Sequence, residues 1–288
     1  MKPLLTLFVI ALLVSCQSNP PATTETATST LPPNARVLDP ENKPPKSQSR
    51  IEQHDGNSNS LQTALVIGNS HYDYSPLQNP VNDAKAMTQR LVEMGFSVTQ
   101  GTNLNYQKMQ EVVQAFEKRL SGTPETVALF YFSGHGAQVD GQNFLLPVNN
   151  NDIKGEADLE KQAVLAQNVL AMMKKTNTGM NLLVLDACRN NPFEGSIRSP
   201  DRGLARMAPP RGAVIAFAAA PGQVASDGDG HYGLYTSHLL NALKNAAHKR
   251  IEDVFMEIYD PVVKESGQAQ EPWYQASLRK PFCFGGCR

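Results

Sequence analysis

Beyond about residue 60 the apolar positions fall into two alternating patterns. Short unbroken runs recur at Thr63-Ala64-Leu65-Val66-Ile67-Gly68, Phe96-Ser97-Val98-Thr99, Val127-Ala128-Leu129-Phe130-Tyr131-Phe132, residues 181–185 and residues 213–217. Each is short, continuous and rich in branched or aromatic side chains, which predicts five buried strands. Between them, apolar residues return every three or four positions. Asn79-Pro80-Val81-Asn82-Asp83 has the form of a helix start, Ala84, Met87, Leu91 and Met94 follow at helical spacing, and Gly95 ends the segment. Residues 106–120 place Met109, Val112, Val113, Phe116 and Leu120 on one face. Further helices are predicted over 169–175, 234–245 and 251–264. Strands apolar on both sides, alternating with helices, must be covered on both faces. The expected fold class is therefore α/β, a three-layer sandwich with a mostly parallel central sheet flanked by helices. In such sheets chemistry collects beyond the carboxyl ends of the strands.

The first sixty residues are different. Lys2 precedes a run from Leu4 to Val14 that is apolar apart from Thr6 and too short to span a bilayer as a stable helix. This is the pattern of a signal peptide. The run closes on Leu13-Val14-Ser15-Cys16, and a small residue directly before Cys resembles the lipobox of bacterial lipoproteins. That resemblance implies acylation of Cys16, and Gln17 in place of Asp implies the outer membrane, with the chain facing the periplasm. Residues 17–60 hold seven Pro and no Phe, Trp or Tyr. Such a stretch cannot offset its ordering entropy by burial, so it reads as a tether, with His54 solvated. The expected organisation is a signal peptide over 1–15, an acylated Cys and disordered tether over 16–60, and one folded domain over 61–288.

Composition narrows the function. With 41% hydrophobic and 18% charged residues, the 288-residue chain can build a sizeable core. A formal net charge of −1 provides no basic excess to hold a polyanion, so nucleic acid is not an expected partner.

Two predicted strand ends carry reactive side chains. The third strand runs into Ser133-Gly134-His135-Gly136-Ala137, and the fourth into Asp186-Ala187-Cys188-Arg189-Asn190-Asn191-Pro192. An imidazole and a thiol, 53 residues apart and each just past a buried strand, form a base and a nucleophile. With the Ala64-Leu65-Val66-Ile67-Gly68-Asn69 opening and the Asn82-Asp83-Ala84 step, these blocks resemble the caspase-like cysteine peptidases, and among them the bacterial metacaspase-type members. The resemblance covers about residues 61–243, with Asp186 standing where the caspase signature has Gln. It implies a caspase-hemoglobinase fold and endopeptidase action on protein or peptide substrates. The implied dyad is His135 with Cys188, and the implied oxyanion hole is the N–H groups of Gly136 and Cys188. It also implies a pocket of Asp83, Ser133 and Asp186 for the residue preceding the cut, whose two carboxylates favour Arg or Lys and repel Asp. Read from the residues alone, Asp83 is also a helix cap and Asp186 a structural acceptor. Members of this family are often cut in loops, so Arg198 and Arg202 are either self-cleavage sites or parts of a solvated basic loop. A catalytically silent interaction module on the same fold is the rival reading, and a hydrolase or transferase of non-protein acyl groups is a third.

The remaining motifs add less. Cys283-Phe284-Gly285-Gly286-Cys287 is either a local disulfide in an oxidising periplasm or a pair of free thiols. No Cys and His set has zinc spacing, and no cofactor is expected. Asp152, Glu156 and Asp158 form an acidic loop without EF-hand spacing, which leaves calcium dependence open, as it does oligomeric state. His71, His231, His238 and His248 read as surface or structural, with His231 in a Gly-rich loop able to border a groove. Trp273 reads as either packed or groove-lining.

Overall fold

The computed structural model describes residues 48–56, 61–120, 122–176, 178–188, 203–228 and 230–288, with Cys188 described through its backbone. The expectations for residues 1–47, including acylation at Cys16, and those for Arg198 and Arg202 lie outside the described residues. The strands are β1 (Arg50–Asp55), β2 (Gln62–Gly68), β3 (Ser97–Thr102), β4 (Val127–Val139), β5 (Gln142–Leu145), β6 (Val164–Leu165), β7 (Met180–Cys188), β8 (Ala213–Phe217) and β9 (Trp273–Ser277). The helices are α1 (Pro80–Glu93), α2 (Tyr106–Arg119), α3 (Glu156–Gln162), α4 (Ala166–Lys175), α5 (Leu234–Lys244), α6 (Ile251–Glu257) and α7 (Tyr259–Glu265).

The main sheet runs in the order β1-β3-β2-β4-β7-β8-β9. The five inner strands are parallel, and the two edge strands, β1 and β9, are antiparallel to their neighbours. All five predicted strands are present, and the expected α/β class with a mostly parallel sheet holds. Successive strand side chains point to opposite faces, so β2 sends Ala64 and Val66 into one core cluster and Leu65 and Ile67 into another. The first cluster also takes Met87 and Leu91 of α1 and Leu239 and Leu243 of α5. The second takes Phe116 of α2 and Val169 and Leu170 of α4. Burial on both sides is the reason these strands read as continuous apolar runs.

Four expectations are corrected. First, β4 and β7 do not end before their reactive motifs. Ser133, His135, Asp186 and Cys188 lie inside the strands, because the two backbones keep pairing through Ser133↔Asp186, Gly134↔Ala187 and His135↔Cys188. Beyond that point β4 pairs antiparallel with β5, which in turn pairs with β6. Second, the helix expected over 251–264 is divided into α6 and α7. Pro261 has no N–H, and its ring competes for the space of the Glu257 carbonyl four residues back. Third, the acidic loop is partly helical. Glu156 and Asp158 occupy the first turn of α3, where the helix dipole favours negative charge, and the Asp158 carboxylate accepts the Lys154 N–H at 2.9 Å. Fourth, the reading of 16–60 as tether runs too far. Arg50–Asp55 is an edge strand on β3 with six registered pairs, and His54, opposite Val98, is half-buried rather than solvated. An edge strand gains main-chain pairing more than burial, so its polar sequence gave no periodic signal.

Near the C-terminus, Cys283 and Cys287 are joined by a disulfide that holds Phe284 in the core edge-on to Phe96. Among the described residues, no helix is long and apolar enough to cross a membrane. The contribution of β1 is measurable. A domain begun at residue 48 is expected to melt above one begun at residue 61. The ladder bonds it retains contribute at least ~2 kcal/mol, or roughly 4–8 °C. Equal melting temperatures by circular dichroism would show that β1 adds nothing.

Candidate active site

His135 stands at a corner. It is the last β4 residue registered with β7, and Gly136 is the first registered with β5, opposite Leu145. Gly134 makes the approach possible. Its φ of +152° is rarely adopted by L side chains, and a Cβ there would lie 2.4 Å from the Tyr72 hydroxyl. That hydroxyl accepts the backbone N–H of His135 at 2.8 Å, and the Tyr72 ring packs on the imidazole with centroids 4.4 Å apart.

The ring of His135 is fully buried, and its Nε2 lies 2.6 Å from the carbonyl oxygen of Ser75. A carbonyl can only accept, so Nε2 carries the proton and Nδ1 holds the free lone pair. Nδ1 is buried and has no hydrogen-bond partner among the described residues. Burial lowers the pKa of this imidazole below its ordinary range, and the Ser75 carbonyl partly opposes the shift. The neutral, basic form is thus favoured near neutral pH. The register places the backbone of Cys188 directly beside that of His135, one strand spacing of about 4.8 Å away.

Two buried acids lie beside this corner. Asp83 belongs to the first turn of α1 but makes no cap there. Its carboxylate instead accepts the Ser133 hydroxyl at 2.9 Å and the Gly233 N–H at 2.9 Å, which removes the helix-cap reading. Asp186 accepts the Thr236 hydroxyl at 2.6 Å, and Thr236 in turn lies 2.5 Å from the Tyr131 hydroxyl. Burial holds the Tyr131 phenol well above its ordinary pKa, so it stays protonated and donates. A Cβ on Gly233 would lie 3.1 Å from one Asp83 oxygen and 3.3 Å from one Asp186 oxygen, so the two carboxylates flank that residue. Burial, then the charge of Asp186, pushes the Asp83 carboxyl up to about 8, and burial pushes Asp186 up to about 6. Without a cation between them, the pair retains a proton near neutral pH.

The structure therefore brings Asp83, Ser133 and Asp186 together, with His135 two strand positions beyond Ser133. Four supporting residues went unread in the sequence. Tyr72 and Ser75 hold the imidazole, Thr236 holds Asp186, and Asp227 accepts the backbone N–H groups of Gln78 (2.7 Å) and Asn79 (3.3 Å) at the edge of the acid cleft. Only Asp227, in a Ser-Asp-Gly turn, carried a usable signal; Ser75 acts through a carbonyl that every residue has.

The other singled-out residues lie elsewhere. His231 is exposed, and its carbonyl accepts the Asn82 side-chain amide at 3.2 Å. His238 pairs with Glu265, and His248 with the Gly286 carbonyl. Trp273 stacks on Phe217 beneath the Arg206 guanidinium. Among the described residues, no group of three or more His, Cys, Asp or Glu is arranged to hold a metal ion.

Comparison with known proteins agrees with this architecture. Residues 61–283 match the family model described as Caspase domain. The human protein called mucosa-associated lymphoid tissue lymphoma translocation protein 1 and its mouse homolog are each 31% identical over 137 residues, covering 46% of this chain. The chain spans 16% of the length of either relative.

The acid pair has a consequence for stability. Both folded-state pKa values lie above the ordinary 3.8, so the folded state keeps protons that the unfolded chain has released. Their contribution is greatest below about pH 4 and is lost as pH rises through 6 and 8. Asp83→Asn, whose amide can still accept from Gly233 and donate to Ser133, is expected to flatten that decline and to melt a few degrees above the parent at pH 8, ~1 kcal/mol being worth roughly 2–4 °C. Thermal melts from pH 5 to 8.5 check this, and parallel curves for the two proteins would refute the raised pKa values.

Proposed function

The chain belongs to the caspase-domain family, and from that premise we propose that it is a cysteine endopeptidase cutting protein or peptide chains after Arg or Lys. Family membership supports a cysteine-peptidase-like function. The observation that carries the finer reading is the pairing of His135 with Cys188 as the last registered pair between β4 and β7, with Nδ1 unpartnered among the described residues and Nε2 tied to the Ser75 carbonyl.

The chemistry follows from the tautomer. Nδ1 of His135 takes the proton of the Cys188 thiol, since the thiolate is the attacking form. The sulfur adds to the scissile carbonyl carbon, and the developing oxyanion is stabilised by the N–H groups of Gly136 and Cys188. Each such donor is worth roughly 10²–10³ in rate. The C–N bond then breaks, and the amine leaves with the proton from Nδ1. Water, deprotonated by Nδ1, hydrolyses the thioester and restores the thiol.

Specificity follows from the acids. A guanidinium or ammonium entering between Asp83 and Asp186 supplies the positive partner that two buried carboxylates require. An Asp side chain would add a third negative charge to the same space. Cys16 acts as the lipid attachment point in this reading, holding the domain on the periplasmic face of the outer membrane, and Arg198 and Arg202 are self-cleavage candidates. The acyl chains contribute about 0.8 kcal/mol per buried CH₂, so more than one chain is needed for firm attachment. The dyad supplies both nucleophile and base, so no cofactor enters the mechanism, and calcium is a variable for the assay.

Fluorogenic peptides ending in Arg, Lys or Asp test the assignment. Arg and Lys substrates should be turned over and Asp substrates should not, and Cys188→Ala should fall to background with its melting temperature preserved. The KM for the Arg substrate should fall as pH rises from 6 to 8, because the cation binds the deprotonated pair. A preference for Asp, or undiminished turnover by Cys188→Ala, would end the proposal.

A further inference from the structure

We infer that Asn150 is a positioning residue for His135, acting through the main chain of Tyr74 and Ser75. The inference rests on the dyad proposed above. Asn150 is buried, and its side-chain amide is spent on one residue. Its Oδ1 accepts the Tyr74 N–H at 2.9 Å, and its Nδ2 donates to the Tyr74 carbonyl at 3.0 Å. It therefore satisfies both main-chain polar groups of Tyr74, as a neighbouring strand would. The next residue is Ser75, whose carbonyl receives Nε2 of His135.

This stretch has little else to hold it. The Tyr74 side chain is 49% exposed, so packing does not fix it. Ser75 adopts φ +58° directly before Pro76, a backbone state that a non-glycine residue keeps only when its surroundings impose it. The base of the loop is fixed separately. Asn103 accepts the N–H groups of Ser70 and His71 at 3.0 Å each, Leu77 donates to the Ser70 carbonyl, and Asp73 donates to the Val148 carbonyl. Among the described residues, the side chains bonded to the main chain of Tyr74 and Ser75 are those of Asn150 and of His135 itself, so Asn150 is what ties the loop down independently of the imidazole. Without it, the Ser75 carbonyl is free to turn away from the imidazole. Nε2 then loses the acceptor that keeps its proton in place, and the alternative tautomer puts the proton on Nδ1, where the thiol requires a lone pair. Asn150 lies outside the acid cleft, so substrate binding is not the step affected.

The test reads the imidazole directly as well as its activity. Long-range ¹H–¹⁵N correlation spectra of the full folded domain should show His135 as a single Nε2–H tautomer in the parent protein and as a mixture in Asn150→Ala. In that variant kcat should fall roughly 10–100-fold, the size of loss seen when the outer partner of a metal-bound His is removed, with KM little changed. The acid limb of the kcat/KM profile should move to lower pH, because the lost carbonyl had raised the imidazole pKa. The near-isosteric Asn150→Asp keeps the acceptor for Tyr74 N–H and loses the donor, so it should fall between the two; it decides the matter should Asn150→Ala fail to fold. The adjacent Asn149→Ala, which removes only an acceptor for the Tyr106 N–H, should keep the parent tautomer. A folded Asn150 variant with an unchanged tautomer, or with reduced turnover arising entirely in KM, overturns the inference. If the parent protein hydrolyses no peptide while the tautomer still responds to Asn150, the peptidase reading fails and the positioning role stands.

Discussion

From Val127↔Met180 to His135↔Cys188, β4 and β7 stay in parallel register, and the last three pairs of that ladder bring the residues of the proposed dyad and two of the proposed pocket residues side by side. Parallel strands cannot be joined by a tight turn, so the segment between them must cross over the sheet. Residues distant in sequence are thereby brought side by side with one allowed alignment. A slip of one residue would send every side chain of a strand to the opposite face. The buried apolar alternation on both faces forbids that slip, so the core itself specifies the geometry of the reactive corner.

The same period of two explains the arrangement of the acids. Ser133 and His135 lie two positions apart on β4 and share a face, and Asp186 is the register partner of Ser133. That face is covered by α1 and α5, which supply Asp83 and Thr236. The site is costly to the fold. It holds two carboxyl groups in low dielectric, a glycine at φ +152° and a serine at φ +58°. The hydrogen bonds from Ser133, Gly233 and Thr236 make the burial tolerable, and the apolar clusters on the two faces of the sheet outweigh what remains.

Legibility differed by the kind of signal involved. The inner strands and the covering helices were readable because apolar periodicity is a local property of the chain. The strand ends were not, since nothing in Ser-Gly-His-Gly marks continued pairing with a partner 53 residues away. The break between α6 and α7 was readable in principle from Pro261. The edge strand β1 was not, because Arg50–Asp55 is polar and Pro-rich sequence precedes it.

The sequence by itself determined the succession along the chain of the five inner strands and of the helices that cover them, the two-sided burial of those strands, and which residues carry a thiol, an imidazole and the acids. These follow from side-chain chemistry and spacing. The tertiary structure alone decided which nitrogen of His135 bears the proton, that Asp83 turns to Ser133 and Gly233 rather than capping its helix, and that Arg50–Asp55 closes one edge of the sheet. Those outcomes depend on main-chain carbonyls, N–H groups and strand edges contributed by distant segments. Every residue offers such groups, so their roles leave no mark on the sequence.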